Sequence, residues 1–260
     1  MIVYVYAIGE EIDPAGLKSE PVDDGAFDVA TAAGISALYS PVDADRFSQE
    51  EIDRHAKDLE WLGAIGYRHQ AVVSALARKT TIVPLRAFTL FKSKESLEEF
   101  LRSDADSLKN AISRLRGKEE WTLRIELEPE AWSNALITRV DSLRAIAEEV
   151  AKAPAGKGYL LQKKLDEEKK KAARTAEETV VAEIRDALAG ALDVPTVVES
   201  RQSRGGSFPQ INLLVERERS VDLERTRDDL ARRYAADGIS LVLTGPWPPY
   251  TFASEESDAG

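Results

Sequence analysis

Residues 244–252, Thr-Gly-Pro-Trp-Pro-Pro-Tyr-Thr-Phe, constrain the fold of this chain more than any other stretch. Pro246, Pro248 and Pro249 remove three backbone donors within four positions and fix φ near about −65°, which excludes helix and central strand. An extended, polyproline-like course remains, and it holds Trp247, Tyr250 and Phe252 in nearly fixed relative positions. The segment follows 239–243, where Ile239, Leu241 and Leu243 alternate with Ser240 and Val242 as in a strand. This pattern predicts a stiff aromatic strap that packs back on its own domain and seals a sheet edge. The alternative is a strap that docks on a partner.

With 260 residues and 43% hydrophobic content, the chain has material for two cores of about 130 residues each. It contains no cysteine, which excludes disulfides, a thiol nucleophile and cysteine-type zinc or iron–sulfur sites, and which fits a reducing cytoplasm. The opening residues Met1-Ile2-Val3-Tyr4-Val5-Tyr6-Ala7 read as an alternating strand and not as a signal peptide. No apolar run reaches the roughly 18 residues needed to span a bilayer. A net charge of −11 argues against nucleic acid or anionic membrane as partner. It also keeps the chain soluble beside a hydrophobic partner.

In the first half, a strand at 2–8 precedes an acidic Pro/Gly loop at 10–25 and an extended stretch at 35–39. Ser48 and Glu51 form a capping-box pattern that opens a long helix to about Arg78. Residues 81–84 and 87–92 are β-rich, and Ser96 with Glu99 reads as a second box on a helix to about Leu115. The second half starts with the cleanest strand, Trp121, Leu123, Ile125 and Leu127 alternating with Thr122, Arg124, Glu126 and Glu128. A helix from Pro129, broken at 154–158, and a second from about Tyr159 to Leu188 follow. The charged stretch 162–174 reads as polar all round, projecting into solvent or bridging the domains. A hairpin of 194–199 and 210–216, a helix capped by Ser220, a left-handed stop at Gly238 and the strand 239–243 complete the order.

The fold class is α+β with two domains. The C-terminal one is ferredoxin-like, βαββαβ with extra helices, and the N-terminal one is a modified version of the same scheme. The expected boundaries are 1–118, 119–252 and a disordered acidic tail at 253–260, with a hinge near 117–120.

Chemistry is sparse. The two histidines, His55 and His69, fall on a stripe with Ile52, Leu59, Leu62, Gly66, Val73 and Leu76, spaced by three and four as on the buried face of one helix. Fourteen residues place them about 21 Å apart along that axis, too far to share a metal ion. Both read as structural residues with a hydrogen-bond partner, and Gly63 and Gly66 suggest close approach to a sheet. Ser203-Arg204-Gly205-Gly206-Ser207 reads as a hairpin loop. No nucleophile elbow, phosphate loop or dinucleotide fingerprint is present, so no catalytic, cofactor or metal residues are assigned. Arg86, amid apolar β-type residues, is either buried against a carboxylate, the preferred reading, or held at an interface.

These pieces together resemble the gas vesicle protein family GvpF/GvpL. The resemblance is carried by Val3-Tyr4-Val5-Tyr6, Val-Pro-Leu-Arg at 83–86, Gly158-Tyr159-Leu160, Asn212-Leu213-Leu214-Val215 and the strap, and it covers nearly the whole chain. The chain departs from the family at Ala87-Phe88-Thr89, where Phe-Gly-Thr is frequent. The resemblance implies a cytoplasmic, gas-vesicle-associated protein without enzymatic activity or cofactor. It implies a chaperone-like assembly factor or minor shell component of the buoyancy organelle. The implied partners are the hydrophobic gas vesicle structural protein and other gas vesicle accessory proteins. The candidate partner-binding residues are Arg86, Trp247, Pro248, Pro249 and Tyr250. Two other classes compete: a small-molecule-binding ferredoxin-like regulatory module, and a hydrolase or transferase using His55 or His69.

Overall fold

The computed structural model describes residues 2–203 and 206–253. The chain divides into two compact units, Met1–Glu120 with Pro246–Gly260, and Trp121–Gly245. The strap therefore belongs to the first unit, whereas the sequence places it with 119–252. Apart from Ala253, the expected disordered tail lies outside the described residues, as do Arg204 and Gly205 of the expected hairpin loop.

The first unit is built on β1 (Ile2–Gly9), buried on both faces from Val3 onward. β1 pairs antiparallel with β3 (Ile35–Val42) and with the short strands β4 (Val83–Pro84) and β5 (Leu90–Phe91). β3 in turn pairs with β2 (Asp28–Ala32), giving the order β2-β3-β1-β4. β2 has no large apolar residue except Val29 and went unrecognised in the sequence. Its two-residue turn to β3 has φ of 51° at Ala33 and 78° at Gly34, both positive as a type I′ hairpin requires.

The helical layer departs from expectation. The predicted helix from Ser48 to Arg78 is three pieces in sequence: α1 (Ala44–Phe47), α2 (Gln49–His55) and α3 (Leu59–Ala77). The Asp58 carboxylate accepts from the amides of Glu60 and Trp61 and starts a new helix, so the apolar stripe loses its phase there. On α3 the buried residues are Ile65, His69, Val72, Val73 and Leu76, while Leu59 is 82% exposed. A Cβ at Gly63 or Gly66 would meet nothing within 4 Å, so neither glycine marks a close approach to the sheet.

The next helix also splits, into α4 (Lys94–Ser103) and α5 (Ala105–Leu115). Its capping box sits one turn before the predicted one: Ser93 Oγ accepts from Ser96 N at 3.3 Å, and Ser96 Oγ accepts from Ser93 N at 3.1 Å. Ser93→Ala is expected to cost about 1 kcal/mol in denaturant unfolding, with Ser93→Asp close to wild type.

The second unit has a four-stranded sheet of order β7-β8-β6-β9, from β6 (Lys118–Leu127), β7 (Thr196–Ser203), β8 (Gly206–Glu216) and β9 (Ile239–Trp247). Between β6 and β7 run α6 (Pro129–Arg139), α7 (Asp141–Lys152) and α8 (Ala155–Leu192). The first break falls at Val140, earlier than predicted. α8 runs 38 residues through Gly158 and Gly190 and stops at Asp193, which is left-handed with φ of 49°. Its charged stretch is not polar all round, because Leu165 is 3% exposed and joins a core with Leu123, Ile184, Leu188 and Ile211.

α9 (Ser220–Tyr234) packs against the same core through Leu223 and Leu230. Ser220 is its first residue and makes no capping bond, while Gly238 takes the predicted left-handed conformation with φ of 74°. β9 continues through Pro246 to Trp247. A proline is tolerated there because β9 is an edge strand of the sheet, where an amide can be missing without breaking a ladder.

Candidate functional site

Beyond β9, Pro248 and Pro249 are buried, Tyr250 is half-buried and Phe252 is 3% exposed. Trp247 is 44% exposed. The strap thus packs back through Pro248, Pro249 and Phe252, while Trp247 stays half-exposed. The Tyr250 amide donates to the Pro248 carbonyl at 2.8 Å, and this turn directs Tyr250 and Phe252 inward while Trp247 remains on the preceding strand. Polar contacts with the first unit reinforce the turn. Thr251 donates to the Glu120 carboxylate through its amide at 2.9 Å and its hydroxyl at 2.7 Å, and Arg114 donates to the Phe252 carbonyl at 3.1 Å.

Tyr250 ends on His69, which is 3% exposed. His69 Nε2 lies 2.9 Å from the Leu85 carbonyl and 3.2 Å from Tyr250 Oη, and Nδ1 lies 3.1 Å from Tyr4 Oη. A carbonyl only accepts, so Nε2 carries the proton and Nδ1 accepts from the Tyr4 hydroxyl. Tyr4 Oη in turn accepts from the Phe88 amide at 3.0 Å. Tyr6 stacks on the imidazole at a centroid distance of 5.7 Å, and Tyr4 meets it edge-on at 5.6 Å. Burial lowers the His69 pKa below the ordinary histidine value, against the opposing Leu85 carbonyl, and burial raises the pKa values of Tyr4, Tyr6 and Tyr250. All four rings are thus neutral near pH 7.

The sequence prediction for His69 and that for His55 separate here. His69 is the core residue with hydrogen-bond partners. His55 is half-exposed at the end of α2, stacked on Trp61 at 5.2 Å and 3.6 Å from the Asp58 carboxylate. The break at 56–58 removes it from the buried face. Arg86 is exposed on the turn after β4, so the reading of a buried, carboxylate-paired arginine is corrected. Its carbonyl accepts from Thr89 N at 3.2 Å and Thr89 Oγ1 at 2.7 Å, and Phe88 has φ of 65°. The structure thus brings Tyr250 into the first unit's aromatic cluster and leaves Arg86 and Trp247 facing outward.

Several large apolar side chains missed by the sequence are exposed. Leu59 and Tyr67 lie on α3 at 82% and 79%, with Gly63 between them on the face away from Val72. Tyr159 and Leu160 open α8. The spacing of Leu59, Gly63 and Tyr67 by four was the available signal, hidden by the stripe drawn through Leu59. On the second unit a cleft of about 570 Å³ lies between Arg139 and Val140 and the α8 residues Ala172, Ala176 and Glu183. Arg139 pairs with Glu183 at 3.6 Å and with Asp237 at 2.6 Å, so these charges are directed at each other and not at a ligand. Among the described residues, no group of three or more His, Asp or Glu is placed to hold a metal ion, and no helix is long and apolar enough to cross a membrane.

Residues 2–254 match the family model for gas vesicle synthesis protein GvpL/GvpF. Gas vesicle protein L of Streptomyces sp. (strain CB03234) is 25% identical over 261 residues, covering 96% of this chain and 92% of the relative. Gas vesicle protein L2 of Halobacterium salinarum is 27% identical over 272 residues, covering 97% and 91%. The crystal structure of gas vesicle protein GvpF from Microcystis aeruginosa superposes with a TM-score of 0.67 at 16% identity, over 97% of this chain and 99% of that one. GvpF from Anabaena sp. PCC7120 gives 0.66 at 16% identity, over 97% and 96%. These two structures share the α+β fold. With the family model matching almost end to end, the chain belongs to the GvpL/GvpF family.

Proposed function

We propose that this GvpL/GvpF chain acts in gas vesicle formation as a non-enzymatic assembly factor or minor shell component that binds the hydrophobic gas vesicle structural protein. It would do so in the cytoplasm and at the vesicle, together with other gas vesicle accessory proteins. One observation carries the reading: Trp247 is 44% exposed on a strap whose following residues are clamped. Pro248, Pro249 and Tyr250 hold the backbone, so little conformational entropy is lost when Trp247 meets an apolar partner. Tryptophan and arginine are among the side chains most often dominant at the centres of protein interfaces, and Trp247 is exposed here, as Arg86 is among other arginines. A net charge of −11 suits a carrier that must stay dissolved beside an aggregation-prone partner.

We read the second unit as a ferredoxin-like βαββαβ arrangement with added helices. The strand order β7-β8-β6-β9 supports this, with the first strand of the unit inside and the last at an edge. The first unit has the corresponding order β2-β3-β1-β4, with a loop where the first crossover helix would run. The two domains are then 1–120 with the strap, and 121–245.

In a pull-down with the co-expressed structural protein, Trp247→Ala is expected to lose most of the captured partner. Its melting temperature should match wild type, because half-exposed surface substitutions change stability by about 0.5 kcal/mol or less. Full capture by Trp247→Ala, with Arg86→Ala also unaffected, would remove the proposed surface. Failure of wild type to capture the structural protein would remove the proposed function itself.

A further inference from the structure

We propose that the strap 246–253 is a proton-sensitive latch, closed on the first unit when His69 is neutral and released when it is protonated. Tyr250 Oη lies 3.2 Å from His69 Nε2, whose single proton is already aimed at the Leu85 carbonyl 2.9 Å away. Tyr250 therefore accepts a share of that proton. The opposite ring nitrogen receives the Tyr4 hydroxyl proton, and Tyr4 Oη is itself held by the Phe88 amide. In this arrangement the imidazole has one donor and one acceptor, both used.

A second proton has no place in it. Protonated Nδ1 would have to donate to Tyr4 Oη, turning the Tyr4 hydroxyl proton away from its acceptor in a site where the ring is 3% exposed. Among the described residues, no carboxylate bonds to the ring to stabilise the imidazolium. The titratable groups around it are Tyr4 and Tyr6 from β1 and Tyr250 from the strap, all neutral, and the chain just after β4 supplies only the Leu85 carbonyl. Asp23 and Arg68 act on the neighbouring Tyr6. Removing Tyr250 opens the Nε2 edge to water, where a charged imidazole is solvated. The closed state therefore excludes a proton that the open state accepts, and acid favours opening.

The sign of the linkage follows from burial, which lowers the pKa of His69 in the closed state. The open strap binds the extra proton below the ordinary histidine value of about 6.5, so closure is complete above that pH and weakens below it by up to about tenfold per pH unit. This device is independent of shell-protein binding, since release is read with no partner present.

The test uses the full chain and hydrogen exchange of the Tyr250 and Thr251 amides between pH 7.5 and 5.0, corrected for intrinsic exchange rates. In wild type, protection should fall several-fold or more across this range. In His69→Gln, which keeps a donor for Leu85 and an acceptor for Tyr4 but does not titrate, protection should fall clearly less than in wild type. Glu120 is retained in the control, so any pH dependence arising from its hold on Thr251 appears in both. Equal pH dependence in the two proteins, or none in wild type, would overturn the proposal. If His69→Gln fails to fold, ring-proton titration in the wild type and in Tyr250→Ala replaces it. There are only two histidine signals, and His55→Gln assigns them. The His69 midpoint should rise toward the ordinary value in Tyr250→Ala, and an unmoved midpoint would equally overturn the latch.

Discussion

Phe252→Ala is expected to destabilise the first unit by about 3–5 kcal/mol, the usual cost of emptying a large aromatic site in a core. Phe252 is 3% exposed, and its carbonyl accepts from Arg114. The cavity cannot collapse easily, because the strap is held by Thr251 on Glu120 and by the buried Pro248–Pro249 pair. A domain with about 5–15 kcal/mol of total stability loses a large share of it. Hydrogen exchange reports the loss by unit: amides of β1 and α3 should lose protection, and those of α8 and β8 should not. Trp247→Ala, on the preceding strand and 44% exposed, should leave both sets unchanged. If the tryptophan variant unfolds the first unit and the Phe252 variant does not, the assignment of anchor and presented residue is reversed.

The contrast between Trp247 and Phe252 also marks how far the sequence could be read. The prolines announced a rigid strap, and that rigidity is what the structure uses. Which aromatic residue points inward depends on where β9 ends and on the Tyr250-to-Pro248 turn, a matter of one residue that no propensity resolves. The partner of the strap was beyond reach for a different reason. Tyr250 and His69 are separated by 181 positions, and neither carries a motif that names the other.

Local rules failed where two of them competed. Heptad-like spacing from Ile52 to Leu76 favoured one helix, but Asp58 at a cap captured two amides and shifted the phase, which moved His55 and Leu59 from the core to the surface. The Ser-x-x-Glu pattern at 96–99 outranked Ser-x-x-Ser at 93–96, although a serine at the third helical position closes the box as well. Long, strongly patterned elements such as β1 and β6 were legible, because burial of one face or two leaves little choice of register. The β7–β8 hairpin was legible only as a pair, since its strands continue to Ser203 and from Gly206 through residues read as loop.

Gly238→Ala should cost several kcal/mol in the second unit, from two separable terms. With φ of 74°, any residue bearing a Cβ loses about 1–2 kcal/mol in the left-handed region. The added methyl would also lie 2.5 Å from Ala131 Cβ and 3.1 Å from Trp132 N. Neither atom belongs to a flexible side-chain end, so α6 itself must move, and overpacking of this kind typically costs about 1–3 kcal/mol. Movement would also stretch the 2.8 Å bond by which the Glu128 amide holds the Gly238 carbonyl, the tie between the start of α6 and the start of β9. Gly117→Ala isolates the first term: φ is 72°, but nothing lies within 4 Å of where its methyl would sit, so about 1–2 kcal/mol is expected. Denaturant unfolding, followed by exchange at α6 and β9 for Gly238→Ala and at α5 and β1 for Gly117→Ala, should therefore rank Gly238→Ala well below Gly117→Ala in stability. Equal losses would mean that the contact with Ala131 relaxes at no cost and that α6 is not fixed against this turn.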